Sequence, residues 1–198
     1  MGVGDAIPVT TTLLLERLRD PLDDRAWSDF DARFRGVVLA AAARLGLSRT
    51  DAEDVTQETM LQAFRDYQAG RYDRARGRLS SWLIAIAHHR ITDLQRRRRP
   101  AGDPAARSIP DEAEVAEAFD LALERVIFEE AWTRVQKTTG ARDEALRAFE
   151  LTAVRGVPIP EAARQTGLTV DQVYVARNRV SARLRDEVTR IDRAYRDG

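Results

Sequence analysis

The chain has 198 residues, 43% of them hydrophobic, and its 32 basic and 32 acidic side chains give a formal net charge of zero. That length admits one large domain or two small ones. With no cysteine and two histidines, disulfide staples, thiolate zinc sites and cysteine nucleophiles are excluded, and a histidine-based metal centre has little to build on.

No apolar run approaches the roughly 18 residues that span a bilayer, and Met1 to Thr12 lacks the basic start and apolar stretch of an export signal. These features predict a soluble cytoplasmic protein. Neutrality argues against a polyanionic partner only if the charges are mixed, and here they are not. Between Arg71 and Arg99 nine arginines face two aspartates, a local balance of +7, and between Asp103 and Glu130 nine acids face two arginines, a balance of −7.

Apolar residues recur at helical spacing, with no convincing period-two stretch, which predicts an all-α protein. A first helix is expected over Thr12–Leu18, stopped near Asp20-Pro21. A second runs from about Asp23 to Leu45 with Trp27, Phe30, Phe34, Val37, Val38 and Ala41 on one face, closed by Gly46. The third begins at Thr50, whose Thr50-x-x-Glu53 pattern reads as a capping box, and turns Val55, Thr59, Met60, Ala63, Phe64 and Tyr67 inward. Its opposite face carries Asp54, Gln57, Glu58 and Leu61, three or four positions apart. Such a face is either solvated surface or a dock for a basic, partly apolar helix.

A loop with Gly70 and Gly77 leads to the fourth helix, which starts after Ser80 and stacks Trp82, Leu83, Ile86, Ala87, Ile91 and Leu94. Its outer stripe runs Ser81, Ala85, His88, Thr92, Gln95 and Arg99, ending in four consecutive arginines, Arg96 to Arg99. Aromatic faces and cations are what unpaired bases and their phosphates need, by stacking and charge neutralisation. Trp82 is spaced as a core residue; Tyr72, in the loop before it, fits core or stacking platform alike.

From Pro100 to Pro110 the composition shifts to Ala, Gly, Asp and Pro, which predicts a tether (100–110) between a first domain (1–99) and a second (111–198). The second set opens with an acidic helix over Asp111–Lys137, then Arg142–Val154, then a compact pair over Pro160–Glu187. In that pair Ala163, Gly167 and Val173 supply the small contact residue, the turn glycine and the apolar anchor of a helix-turn-helix. Pro160 suits a first helical position, and Thr169 and Gln172 form a reciprocal cap. With Val173, Val180 and Leu184 inward, Gln172, Tyr174, Val175, Asn178 and Arg179 face outward, as on a helix that reads the major groove. Arg177, Arg183 and Arg185 are placed to grip phosphates.

Two stretches together resemble a known family. Asp51-Ala-Glu-Asp-Val-Thr-Gln-Glu-Thr-Met-Leu-Gln-Ala-Phe64, Tyr72 to Leu79, Ser81 to Ala87 and Arg90 to Arg99 are similar to the central region of bacterial sigma factors of the extracytoplasmic-function (ECF) type. Leu146 to Val188 is similar to their C-terminal helix-turn-helix region. The resemblance implies a non-enzymatic subunit of RNA polymerase, with no catalytic residue, metal or cofactor, no membrane partner and no small-molecule substrate. Asp51, Asp54, Gln57, Glu58 and Leu61 would bind the clamp helices of the beta-prime subunit, and the beta flap would be a second contact. Tyr72, Arg78, Ser81, Trp82, His88, His89, Thr92, Arg96 and Arg99 would capture the promoter minus-ten element as a melted strand. Gln172, Tyr174, Val175, Arg177, Asn178, Arg179 and Arg183 would hold the minus-thirty-five element. An anti-sigma factor is a further partner that the family admits. His89 stands where many members have asparagine, and Tyr174, Val175 and Ala176 replace basic positions of the usual recognition helix.

Two other readings compete with this one. A metal-dependent phosphohydrolase would use His88, His89 and Asp93 with Asp51, Glu53 and Asp54, yet adjacent histidines diverge by about 100° around a helix, whereas paired ligands sit four apart. A homodimeric helix-turn-helix regulator of duplex operators accounts for the second domain and leaves the first unexplained.

Overall fold

The helical periodicity is realised throughout the computed structural model, which describes residues 11–20, 23–98, 108–139 and 143–196. In chain order the helices are α1 (Thr11–Arg17), α2 (Asp24–Arg44), α3 (Arg49–Gln68), α4 (Leu79–Arg98), α5 (Glu112–Thr139), α6 (Glu144–Phe149), α7 (Ile159–Thr166) and α8 (Val170–Arg196). A 3-10 turn, Arg74–Arg76, interrupts the loop before α4, and a π-helical turn, Glu150–Val154, prolongs α6. The described residues contain no strand, and no helix among them is long and apolar enough to cross a membrane. Two compact units result: one takes the described residues up to Val126 together with those from Ala194 on, the other is Ile127–Arg193.

In the first unit α2 carries a long apolar stripe. Trp27, Phe30 and Phe34 recur at helical spacing with ring centroids 5.3 and 5.0 Å apart, and Val37, Val38 and Ala41 extend the buried stripe. α3 packs against both α2 and α4, and Val55, Met60 and Ala63 of α3 and Leu83, Ile86, Ala87 and Ile91 of α4 are all buried. α1 is fastened by buried Leu14 and Leu18, and by the Tyr67 hydroxyl, which donates to the Leu15 carbonyl. Arg17 donates to Asp23 at 2.8 Å and to Asp29 at 2.6 Å. This bonding raises the guanidinium above its ordinary range and lowers the Asp23 carboxyl.

Three local expectations are corrected in this unit. The cap of α3 is Ser48, whose hydroxyl accepts from the Asp51 amide at 3.2 Å, because the helix begins at Arg49 and leaves Thr50 inside the first turn. Phe64 is 40% exposed, although its ring meets that of Trp27 edge-on at 4.5 Å. Thr92, expected on the outer stripe of α4, is 8% exposed, since the buried face of that helix is wider than the Leu83–Ile91 stripe.

The acidic helix also serves more than one unit. Asp111 and Glu114 cap the start of α5 reciprocally, at 2.9 and 2.8 Å, and Val115, Phe119, Ala122 and Leu123 are buried. Phe119 and Leu123 border a small cavity shared with Phe34, Leu79 and Tyr195, so the N-terminal half of α5 completes the first unit. So does the end of α8, which runs past the expected Glu187: Thr11 Oγ1 donates to the Ala194 carbonyl at 2.8 Å, and the Tyr195 ring lies 5.7 Å from Phe34.

In the second unit Ala148, Ala163, Val173 and Ala176 form a buried cluster flanked by Ile159 and Leu168. Thr169 and Gln172 cap α8 reciprocally, at 2.8 and 3.2 Å. Gly167 takes φ +74°, the left-handed conformation that ends α7 and lets the chain reverse. Space for a Cβ exists there, so Gly167→Ala is expected to cost only the backbone term, about 1 kcal/mol. Chemical denaturation monitored by circular dichroism measures it; an unchanged midpoint would show that the turn relaxes without strain.

Candidate nucleic-acid and protein interfaces

On α3, Asp54, Gln57, Glu58 and Leu61 are exposed along one face, Leu61 at 45%. They do not stand alone. Across a groove of about 450 Å³ they meet Arg90, Asp93, Leu94 and Arg97 of α4. Arg90 donates to Gln62 at 2.7 Å and lies 3.9 Å from Glu58. The groove thus has an acidic wall and a largely basic wall with an apolar edge, and it suits an amphipathic helix carrying both charges. Sequence reasoning passed over Arg90, Asp93 and Arg97 as members of this face; their spacing of three and four on α4 was the available signal.

Asp51 separates from that group. Its side chain is 10% exposed and paired with Arg98, so it turns away from the groove instead of lining it. A carboxylate in the first turn of a helix points back along the axis, and here that direction leads to the end of α4.

The candidate nucleic-acid face comprises the α3–α4 loop and α4. Tyr67, Tyr72 and Trp82 form a ladder with centroids 6.1 and 5.0 Å apart. Tyr72 is half-buried, which pushes its phenol above the ordinary value, and its hydroxyl finds no partner among the described residues. The loop is tied by Arg71 to Asp66 at 2.7 Å and by the Asp73 carboxylate accepting from the Ala75 amide at 2.9 Å. Arg74, Arg78, Arg96 and Arg97 are exposed and have no acidic partner among the described residues. Those cations are available for phosphates.

Along α4, Ser81, Ala85 and His89 are exposed, and Trp82 is half-buried. His88 is half-buried too, with Nε2 3.2 Å from the Pro110 carbonyl, a bond that occupies the ring with the chain leading into α5. A groove of about 540 Å³ is lined by Trp82, Ala85, His88 and His89 with Gln62 of α3 and Glu112 of α5. Thr92 is withdrawn into the core, and Arg99 lies outside the described residues, as does most of the expected 100–110 tether.

On α8, Gln172, Tyr174, Val175, Asn178, Arg179 and Arg183 are exposed and Arg177 is half-buried, while Val173, Val180 and Leu184 face inward. Tyr174 is 51% and Val175 65% exposed, large apolar groups left uncovered at the start of a helix. Arg179 rests 3.4 Å from Asp143, the cap of α6.

A Sigma-70 region 2 family model matches residues 30–101, the span that holds α3, the aromatic loop and α4. The chain is 33% identical over 182 residues to the RNA polymerase sigma factor CnrH of Cupriavidus metallidurans, covering 82% of this chain and 86% of that protein. It is 24% identical over 168 residues to the ECF RNA polymerase sigma factor RpoE of Cereibacter sphaeroides, covering 81% and 91%. Against the ECF RNA polymerase sigma factor SigK of Mycobacterium tuberculosis the identity is 26% over 156 residues, covering 76% and 79%. Helical architecture, grooves and likeness along most of the chain agree: it belongs to the sigma-70 family of RNA polymerase sigma factors, in the ECF group, and acts as an alternative sigma factor in transcription initiation.

Proposed function

We propose that the two units divide the initiation task between them. In the first, Asp54, Gln57, Glu58 and Leu61, joined by Arg90 and Arg97, receive the beta-prime clamp helices. Tyr72, Arg78, Ser81, Trp82, His89, Arg96 and Arg99 capture the minus-ten element as a single strand. In the second, Gln172, Tyr174, Val175, Asn178 and Arg179 read the minus-thirty-five element while Arg177 and Arg183 hold its phosphates, and the beta flap docks on the same unit. Like sigma factors generally, the protein acts as a regulator without catalysis of its own, in the cytoplasm where the polymerase works.

The observation that carries this reading is the presence, within one unit, of a groove with an acidic α3 wall together with a ladder of aromatics and exposed arginines that have no acidic partner among the described residues. Contacts to single-stranded bases exist only after unpairing, so their formation offsets the lost stacking of the duplex and favours opening. An operator-binding dimer has no use for this unit.

Run-off transcription by core polymerase on a template inactive without this subunit tests the whole reading, and absence of a transcript overturns it. One substitution tests the second unit. Arg179→Ala is expected to weaken recognition of the upstream element by about 1–3 kcal/mol, as for loss of one base-reading arginine, with core affinity unchanged. Its tie to Asp143 is long and exposed, so little stability goes with it. Electrophoretic mobility shifts of the holoenzyme on intact and scrambled upstream elements measure the difference; equal losses on both would demote Arg179 to a phosphate contact.

A further inference from the structure

We infer that Asp51 is a positioning residue for promoter-strand capture: from the start of α3 it pins Arg98, and through it the arginine-rich last turn of α4. The inference rests on the reading of that turn as a DNA contact. It assigns Asp51 a part different from the polymerase contact expected of its motif.

The pairing combines one hydrogen bond with a second close charge contact, in which Oδ1 has no hydrogen-bond donor among the described residues. Arg98 Nη1 donates to Asp51 Oδ2 at 2.5 Å, and Nη2 lies 2.5 Å from Oδ1. Burial is unequal, with the Asp51 side chain 10% exposed and that of Arg98 59%. A nearly buried carboxylate therefore anchors a cation that is otherwise free to swing in solvent. The carboxylate is held ready, because Asp51 sits in the first turn of α3, where Ser48 accepts from its amide and the helix dipole favours negative charge. Removing the cation would leave a desolvated charge uncompensated, so the pair resists opening.

The last turn of a helix frays unless something holds its end. Here the pair bridges residues 47 positions apart and ties that turn of α4 to the first turn of α3. Arg96 and Arg97 lie in the same turn, exposed and without acidic partners among the described residues. Arg98 thus acts as a fixed post that sets the direction in which Arg96 points. Phosphate contacts position a strand only if their cations are themselves positioned.

The test uses the full chain with core polymerase and a promoter duplex. Asp51→Asn should leave core affinity within about twofold of wild type, yet reduce opening, read as permanganate reactivity of minus-ten thymines, by about tenfold. The exchange Asp51→Arg with Arg98→Asp restores the pair and should recover most of the opening lost by Asp51→Arg alone. Thermal melting of each variant separates this from simple unfolding. Wild-type opening by the asparagine variant would overturn the inference, as would opening and core affinity falling together with the melting temperature, or an exchange no better than the single variant. Arg96→Ala, at a residue outside the groove, separates the levels: if it leaves opening intact, the reading of this turn as a DNA contact falls and takes the inference with it. If it impairs opening while Asp51→Asn does not, the positioning role alone is lost.

Discussion

Replacing Asp54 and Glu58 together by lysine is expected to weaken binding to core RNA polymerase by about a hundredfold, since like charges brought together at an interface cost several kcal/mol and each 1.4 kcal/mol is a factor of ten. Both side chains are exposed on the groove face of α3, so a reversed charge meets the partner directly and is not absorbed by the fold. Stability should change little. The one intramolecular tie at risk among the described residues, Glu58 to Arg90 at 3.9 Å, is a surface pair of the kind worth about 0–1 kcal/mol. The loss should shrink as salt is raised, because exposed charges are screened. Glu53→Lys is the control: this residue is on the same helix, paired with Arg49 and outside the groove. Fluorescence titration of core with labelled protein measures the affinities, and circular dichroism confirms the fold. If the double variant binds core as well as the control does, the groove is not the dock.

The second large effect concerns Phe119. It is fully buried, and Phe119→Ala is expected to destabilise the protein by about 3–5 kcal/mol, the usual cost of deleting a buried aromatic ring. The place where that loss is felt matters more than its size. Phe119 borders Phe34 and Leu79, so amide exchange should accelerate in α2 and α4. The helix-turn-helix, whose buried cluster is Ala148, Ala163, Val173 and Ala176, should keep its protection until the chain unfolds globally. Hydrogen exchange read by mass spectrometry distinguishes the two patterns. Acceleration confined to residues 143–193 would place the N-terminal half of α5 with the second unit, as its position after the expected tether suggests.

The contrast between Phe119 and Gly167 shows what kind of feature can be read from a sequence. The turn glycine, the Thr169–Gln172 cap and the inward register of Val173, Val180 and Leu184 all stand where periodicity and capping chemistry put them. Each depends on a segment a few residues long. The acidic face of α3 was legible for the same reason, because spacing of three and four decides which side chains share a side of a helix. Partners of such a face are another matter. Arg90, Asp93 and Arg97 complete the groove only because α4 lies against α3 at one particular rotation.

The sequence by itself determined the all-helical class, most helix boundaries though not the end of α8, the helix-turn-helix and the opposed charge blocks, since these are properties of short stretches governed by helical period and composition. Tertiary structure alone decided that Asp51 is buried against Arg98, that Thr92 lies in the core and Phe64 partly outside it, and that His88 is bonded to Pro110. It also decided that the N-terminal half of α5 and the end of α8 complete the first unit. An apolar stripe records that something must cover it, while the identity of the cover depends on how distant helices cross, and no local pattern encodes that crossing.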